Sequence, residues 1–171
     1  MKVLNLFAYT GGATLAAAAA GASVTHVDAS KGMVTWAKEN AVASGLGDAP
    51  IRWLVDDCVK FVEREIRREN HYDAIIMDPP SYGRGPKGEI WKIEDCIHDL
   101  IKLCTKILSD DPLFFLINSY TTGLAPAVLT YMLSTELKKF DGRVDSQEIG
   151  LPVSSNGLVL PCGASGRWEA K

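Results

Sequence analysis

The chain has 171 residues, of which 47% are hydrophobic, and its formal net charge is −3. That length fits one domain with a real core, the charge lacks the basic footprint of a stand-alone nucleic-acid-binding module, and no apolar run approaches the ~20 residues of a membrane span. Cys58, Cys96, Cys104 and Cys162 have the spacing of neither a metal site nor a disulfide framework, which predicts reduced thiols, no metal and a cytoplasmic protein.

Residues 2–8 read as a strand that runs into Gly11-Gly12 and a helix over 12–20. The start imitates a signal peptide, but Asn5 and Tyr9-Thr10-Gly11-Gly12 interrupt the apolar stretch. Ala16 to Ala20 favour helix and are small enough to let it lie close to a sheet. A second strand, 23–28, ends at Asp28, and Ser30 is placed to cap a helix over 31–44. A third strand, 51–55, leads into Asp56-Asp57. Asp57 is placed to cap a helix over 58–69, whose outer Lys60, Glu63, Arg64, Arg67 and Arg68 read as a solvated face rather than an RNA-facing patch. A fourth strand, 73–77, ends in Asp78-Pro79-Pro80, and 79–91 reads as a Pro/Gly-rich loop.

A helix over 92–109 follows, with Ile93, Ile97, Leu100, Ile101, Cys104 and Leu108 at helical spacing. Leu113-Phe114-Phe115-Leu116-Ile117 is continuously apolar, the mark of a central strand covered on both faces. A helix over 125–139 and two weaker strands, 143–149 and 157–162, complete the chain. Repeated strand–helix alternation calls for an α/β fold with a parallel sheet and right-handed crossovers. The last two strands have no helix between them and should pair antiparallel.

In such a sheet, ligands sit beyond the carboxyl ends of the strands. Four strands here end in polar groups. The glycine turn lets a ligand approach the backbone, and the helix start offers N–H groups. An acid at the end of the second strand suits two ribose hydroxyls. Each acid could also be a simple helix cap, but Pro79-Pro80 fixes a rigid turn that a plain strand end does not need. G-x-G-x-x-G is absent, which argues against an NAD-dependent oxidoreductase.

In Leu6-Phe7-Ala8-Tyr9-Thr10-Gly11-Gly12, Val27-Asp28-Ala29-Ser30, Asp56-Asp57-Cys58 and Asp78-Pro79-Pro80-Ser81-Tyr82, the chain resembles the class I S-adenosylmethionine-dependent methyltransferases. Within them it is similar to the bacterial 23S ribosomal RNA large-subunit methyltransferases of the I and K types. The resemblance implies a Rossmann-like, mostly parallel seven-stranded sheet with helices on both faces and an antiparallel last strand. It implies S-adenosyl-L-methionine as cofactor, with Phe7, Tyr9, Thr10, Gly11 and Gly12 around its methionine part. Asp28 would hold the ribose, flanked by Ala29 and Ser30; Asp57 and Cys58 would meet the adenine. Asp78 would begin the catalytic loop beside the methyl group.

The C5 route for pyrimidines needs a cysteine nucleophile, and neither Asp78–Ser81 nor Asn118–Tyr120 contains one. The expectation is therefore methylation of a base nitrogen in RNA, most simply ribosomal RNA. Asp78 and the Pro79 carbonyl would accept hydrogen bonds from the base, Tyr82 would stack on it when flipped out, and Asn118 would touch its edge. Arg84, Lys87 and Lys92 either touch phosphate or belong to a solvated loop. A protein or small-molecule nitrogen and a non-catalytic cofactor-binding domain are the alternatives. Residues 1–171 read as a single catalytic domain. The family carries a segment ahead of the first strand and an RNA-recognition domain, so the chain is expected to be a fragment that binds cofactor weakly alone.

Overall fold

The computed structural model describes residues 1–85 and 88–171. In chain order the elements are β1 (Lys2–Leu6), α1 (Gly12–Ala19), β2 (Ser23–Asp28), α2 (Lys31–Ala43), β3 (Ile51–Val55), α3 (Cys58–Arg67) and β4 (Ala74–Met77). They continue with β5 (Tyr82–Arg84), β6 (Ile90–Lys92), α4 (Ile93–Cys104), β7 (Phe114–Ser119), α5 (Pro126–Glu136), β8 (Gly142–Pro152) and β9 (Val159–Ala170). Seven strands form one sheet in the order β3-β2-β1-β4-β7-β9-β8, and β5 and β6 form a separate hairpin. β3, β2, β1, β4 and β7 pair in parallel, while β9 runs antiparallel to both its neighbours. The strand order reverses between β1 and β4, where a crevice opens at the carboxyl ends.

The pleat sends alternate residues to opposite faces. Leu4, Leu6, Ile75, Met77, Phe115 and Ile117 pack with Phe61, Leu100, Leu129 and Leu133 of α3, α4 and α5. On the other face Val3, Val24, Ala74 and Ile76 meet Ala18 of the alanine helix. Helices therefore cover both faces, but unequally. On β7, Phe115 and Ile117 are buried while Phe114 and Leu116 are half-buried. Phe114 and Leu116 pack only partly buried against the cluster around Ala18, which corrects the expectation of a strand sealed on both sides.

Several boundaries differ from the expected ones for local reasons. β1 stops at Leu6 because Phe7 has φ 52°. The stretch 79–91 contains the β5–β6 hairpin rather than only loop. β9 runs on to Ala170, well past residue 162. Its Gly-Ala-Ser-Gly stretch reads as loop by composition, yet α5 lies so close that a Cβ on Gly166 would fall 2.8 Å from the Leu129 Cβ. The outer face of α3 is not simply solvated either. Arg64 is ion-paired with Asp56, Lys60 with Glu89, and Arg68 lies 3.4 Å from the buried Glu65. Among the described residues no helix is long and apolar enough to cross a membrane.

Candidate active site

The turn after β1 is conformationally unusual. Phe7, Tyr9 and Gly11 have φ of 52°, 48° and 89°. The first two are left-handed side-chain-bearing residues, each costing on the order of 1 kcal/mol or more. Neighbouring contacts hold them. The Tyr9 N–H donates to Asp28 Oδ2 at 2.8 Å, the Ser30 N–H donates to Asp28 Oδ1 at 2.8 Å, and the Phe7 N–H donates to Cys58 Sγ at 3.4 Å. Each Asp28 oxygen keeps a further lone pair for a ligand. Gly11 caps α1 with its backbone alone.

One cleft of about 600 Å³ lies at this edge of the sheet. Phe7 and Tyr9 from the first turn, and Asp28, Ala29 and Ser30 from the second, line it together with Asp57, Cys58 and Asp78. The two expected caps are present: the Ser30 hydroxyl accepts from the Met33 N–H at 3.4 Å, and Asp57 Oδ1 accepts from the Lys60 N–H at 2.9 Å. Asp57 thus both caps α3 and faces the cleft. Burial pushes the Cys58 thiol far above its ordinary range, so it is no thiolate at neutral pH. Asp78 is exposed at the cleft, and partial desolvation of its carboxyl raises its pKa.

Other expected residues sit nearby without lining the cleft. The Thr10 carbonyl accepts from Asn40 Nδ2 at 3.0 Å, Gly11 and Gly12 begin α1, and Pro79 is buried. Tyr82 stands on β5, 52% exposed, outside the lining. Asn118 is half-buried at the end of β7. Lys92 ends β6 exposed, and Lys87 lies outside the described residues. Arg84, exposed on β5, is among the residues that line the cleft.

The sequence missed Val59, Pro80, Gly83, Gly85, Trp91 and Tyr120, which also line the cleft. Tyr120 follows β7 directly and was legible as a strand-end residue. The others from 80 to 91 depend on a hairpin that composition reads as loop.

Beneath the glycine turn, Asn5 Nδ2 donates to Thr14 Oγ1 at 2.9 Å, and Thr14 Oγ1 shares a hydrogen with His26 Nδ1 at 2.9 Å. His26 is fully buried, its Nε2 has no partner among the described residues, and the Trp53 ring lies 4.8 Å away. Burial lowers its pKa to about 4, against a smaller opposing pull from Asp28. A histidine with a depressed folded pKa stabilises the fold above the unfolded value, about 6.5, and loses that contribution as pH falls through the folded value. Urea unfolding at pH 7 and pH 4 is expected to show a loss of up to about 3 kcal/mol from this group. His26→Gln should remove that part of the pH dependence; a variant with the parent's full dependence would refute it.

The chain matches the S-adenosylmethionine-dependent methyltransferase family over residues 1–132. It is 36% identical over 110 residues to the ribosomal RNA large subunit methyltransferase K/L of Shewanella frigidimarina, an alignment covering 63% of this chain and 15% of that protein. With the K/L enzyme of Pseudoalteromonas atlantica it shares 42% over 94 residues, 54% of this chain and 13% of that one. A crystal structure of a SAM-dependent methyltransferase from Agrobacterium tumefaciens superposes with a TM-score of 0.95 at 43% identity, covering all of this chain and 56% of that one. The chain therefore spans a small part of the K/L proteins and about half of the Agrobacterium protein.

Proposed function

We propose, since the chain belongs to the S-adenosylmethionine-dependent methyltransferase family, that its cleft binds S-adenosylmethionine and that the domain methylates a base nitrogen in ribosomal RNA. The observation that carries this is the convergence of Asp28, Asp57 and Asp78, from the carboxyl ends of the parallel strands β2, β3 and β4, on one cleft. This donor set fits a nucleoside bearing a positive sulfur. Asp28 offers its remaining lone pairs to a vicinal diol. The free oxygen of Asp57 suits an exocyclic amine, and Asp78 places negative charge where a cation needs it. When bound, the cofactor supplies an electrophilic methyl group on a sulfonium.

The chain's own residues do the rest in this proposal. Asp78 and the Pro79 carbonyl accept hydrogen bonds from the base and hold its reacting nitrogen in line with the methyl group. Tyr82, exposed on β5 next to the cleft-lining Gly83, stacks on the base. Thr10, Gly11 and Gly12 shape the turn that faces the cofactor's methionine part. A buried, protonated Cys58 and the lack of a cysteine beside Asp78 favour nitrogen over C5 of a pyrimidine. The names of the K/L relatives support an RNA substrate. Residues 1–171 act as the catalytic unit, in the cytoplasm. With a net charge of −3, RNA affinity rests on a further basic module.

The test has two stages. Calorimetric titration with S-adenosylhomocysteine establishes the cleft's ligand. Labelled S-adenosylmethionine is then supplied with in vitro-transcribed ribosomal RNA, and in parallel with ribosomal protein, followed by mass spectrometry of the nucleosides. Label in an N-methylated base is expected. Label in protein, or in a C5-methylpyrimidine, would reject the substrate assignment.

A further inference from the structure

One wall of the cleft is not built from strand ends of the main sheet. The β5–β6 hairpin leaves directly after Pro80-Ser81 and returns at Ile93. Its pairing runs only from Tyr82↔Lys92 to Arg84↔Ile90, too short to hold by itself. Three fastenings fix it. The Trp91 indole N–H donates to the Pro80 carbonyl at 2.7 Å. The Trp91 ring tilts against Phe7, centroids 4.9 Å apart. At the far end the Gly85 N–H donates to the Glu89 carbonyl at 2.8 Å, and the Glu89 carboxylate is ion-paired with Lys60. Lys60 lies in the first turn of α3, and its own N–H is bound by Asp57. The hairpin therefore reaches from the Asp78 turn to the Asp57 cap, and Gly83, Arg84, Gly85 and Trp91 face the cleft between them.

We propose that this hairpin is the retaining wall of the cofactor site and that Trp91 is its positioning residue. The inference rests on the S-adenosylmethionine reading of the cleft. Trp91 joins two parts that chain order keeps far apart: Phe7, in the turn that meets the cofactor, and Pro80, two residues after Asp78. Its ring packing on Phe7 sets the distance between wall and turn, and its N–H fixes the backbone of the Pro-Pro turn. The Lys60–Glu89 pair is solvent-accessible, with Lys60 47% exposed, so its strength falls with added salt. Its part is to keep the far end of the wall against α3.

The test is calorimetric titration of the 171-residue chain with S-adenosylhomocysteine, in low and high salt. It compares the parent with Trp91→Ala, Trp91→Phe and Glu89→Gln, each checked by thermal melting. Trp91→Ala is expected to raise Kd by about 10-fold, the effect of losing one hydrogen bond and one aromatic pair. Trp91→Phe, which keeps a ring against Phe7, should recover more than half of that loss on a logarithmic scale. Glu89→Gln, at the surface, should raise Kd by about 3-fold at low salt and flatten its salt dependence.

A folded Trp91→Ala that binds like the parent, or a Trp91→Phe no better than Trp91→Ala, overturns the positioning role. If Trp91→Ala does not fold, Glu89→Gln decides: an unchanged Kd and salt dependence overturn the wall. A parent chain that does not bind at all fails at the earlier step, the cofactor reading itself, and takes this inference with it.

Discussion

Replacing Asp28 with alanine is expected to weaken S-adenosylhomocysteine binding by about 100-fold or more while leaving the fold intact. Two charge-assisted hydrogen bonds to a diol are worth about 1.5–3 kcal/mol each, and every 1.4 kcal/mol is about tenfold in Kd. Asp28 also does a second job. It accepts the N–H groups of Tyr9 and Ser30, both at 2.8 Å. Those contacts hold Tyr9 in its left-handed conformation and set the turn that carries Phe7. Alanine removes the ligand contacts and the support of the turn together. Asparagine keeps one acceptor oxygen, so Asp28→Asn should fall between parent and Asp28→Ala. Calorimetry on the three proteins orders them; an Asp28→Ala chain that binds like the parent would exclude the ribose assignment.

Much of this site was legible in the sequence because one physical rule places it. A parallel sheet brings the carboxyl ends of consecutive strands to one edge, so acids that follow apolar runs meet there whatever the loops do. Asp28, Asp57 and Asp78 follow that rule, and all three line the cleft. The caps at Ser30 and Asp57 were equally readable, because a cap is a local contact three residues long. What stayed hidden depends on contacts distant in sequence. Nothing near Trp91 signals that its indole N–H reaches back to Pro80, or that Glu89 finds Lys60 on α3. The half-covered face of β7 is likewise a matter of how the helices pack across the sheet, which an apolar run does not encode. β9 was under-read at its glycines because close helix packing and loop formation favour the same small residues.

Asp78 lines the same cleft as that hidden hairpin, and its carboxyl is partly desolvated there. Asp78→Asn is expected to keep S-adenosylhomocysteine affinity within about 3-fold, since asparagine fills the same space and the other two acids remain. Methyl transfer to RNA should instead fall by about 100-fold or more, the usual scale for losing a group that accepts a proton or hydrogen bond from the reacting atom. A non-catalytic cofactor-binding domain would have no transfer to lose. The same substitution should raise the melting temperature at neutral pH. Partial desolvation holds the folded Asp78 pKa above its ordinary value, so the protonated form is the one the fold favours. That stabilisation is complete below the unfolded pKa, about 3.9, and is lost as pH rises through the folded one. At pH 7 the ionised carboxylate therefore opposes folding, and asparagine relieves it. In the parent, transfer should decline as acid protonates Asp78, with a limb above the ordinary carboxylate range. Calorimetry, a pH–rate profile and thermal melting on one pair of proteins read all three effects. An Asp78→Asn enzyme that retains transfer would remove Asp78 from the reacting centre. A variant with lower melting temperature would show that the carboxylate supports the fold.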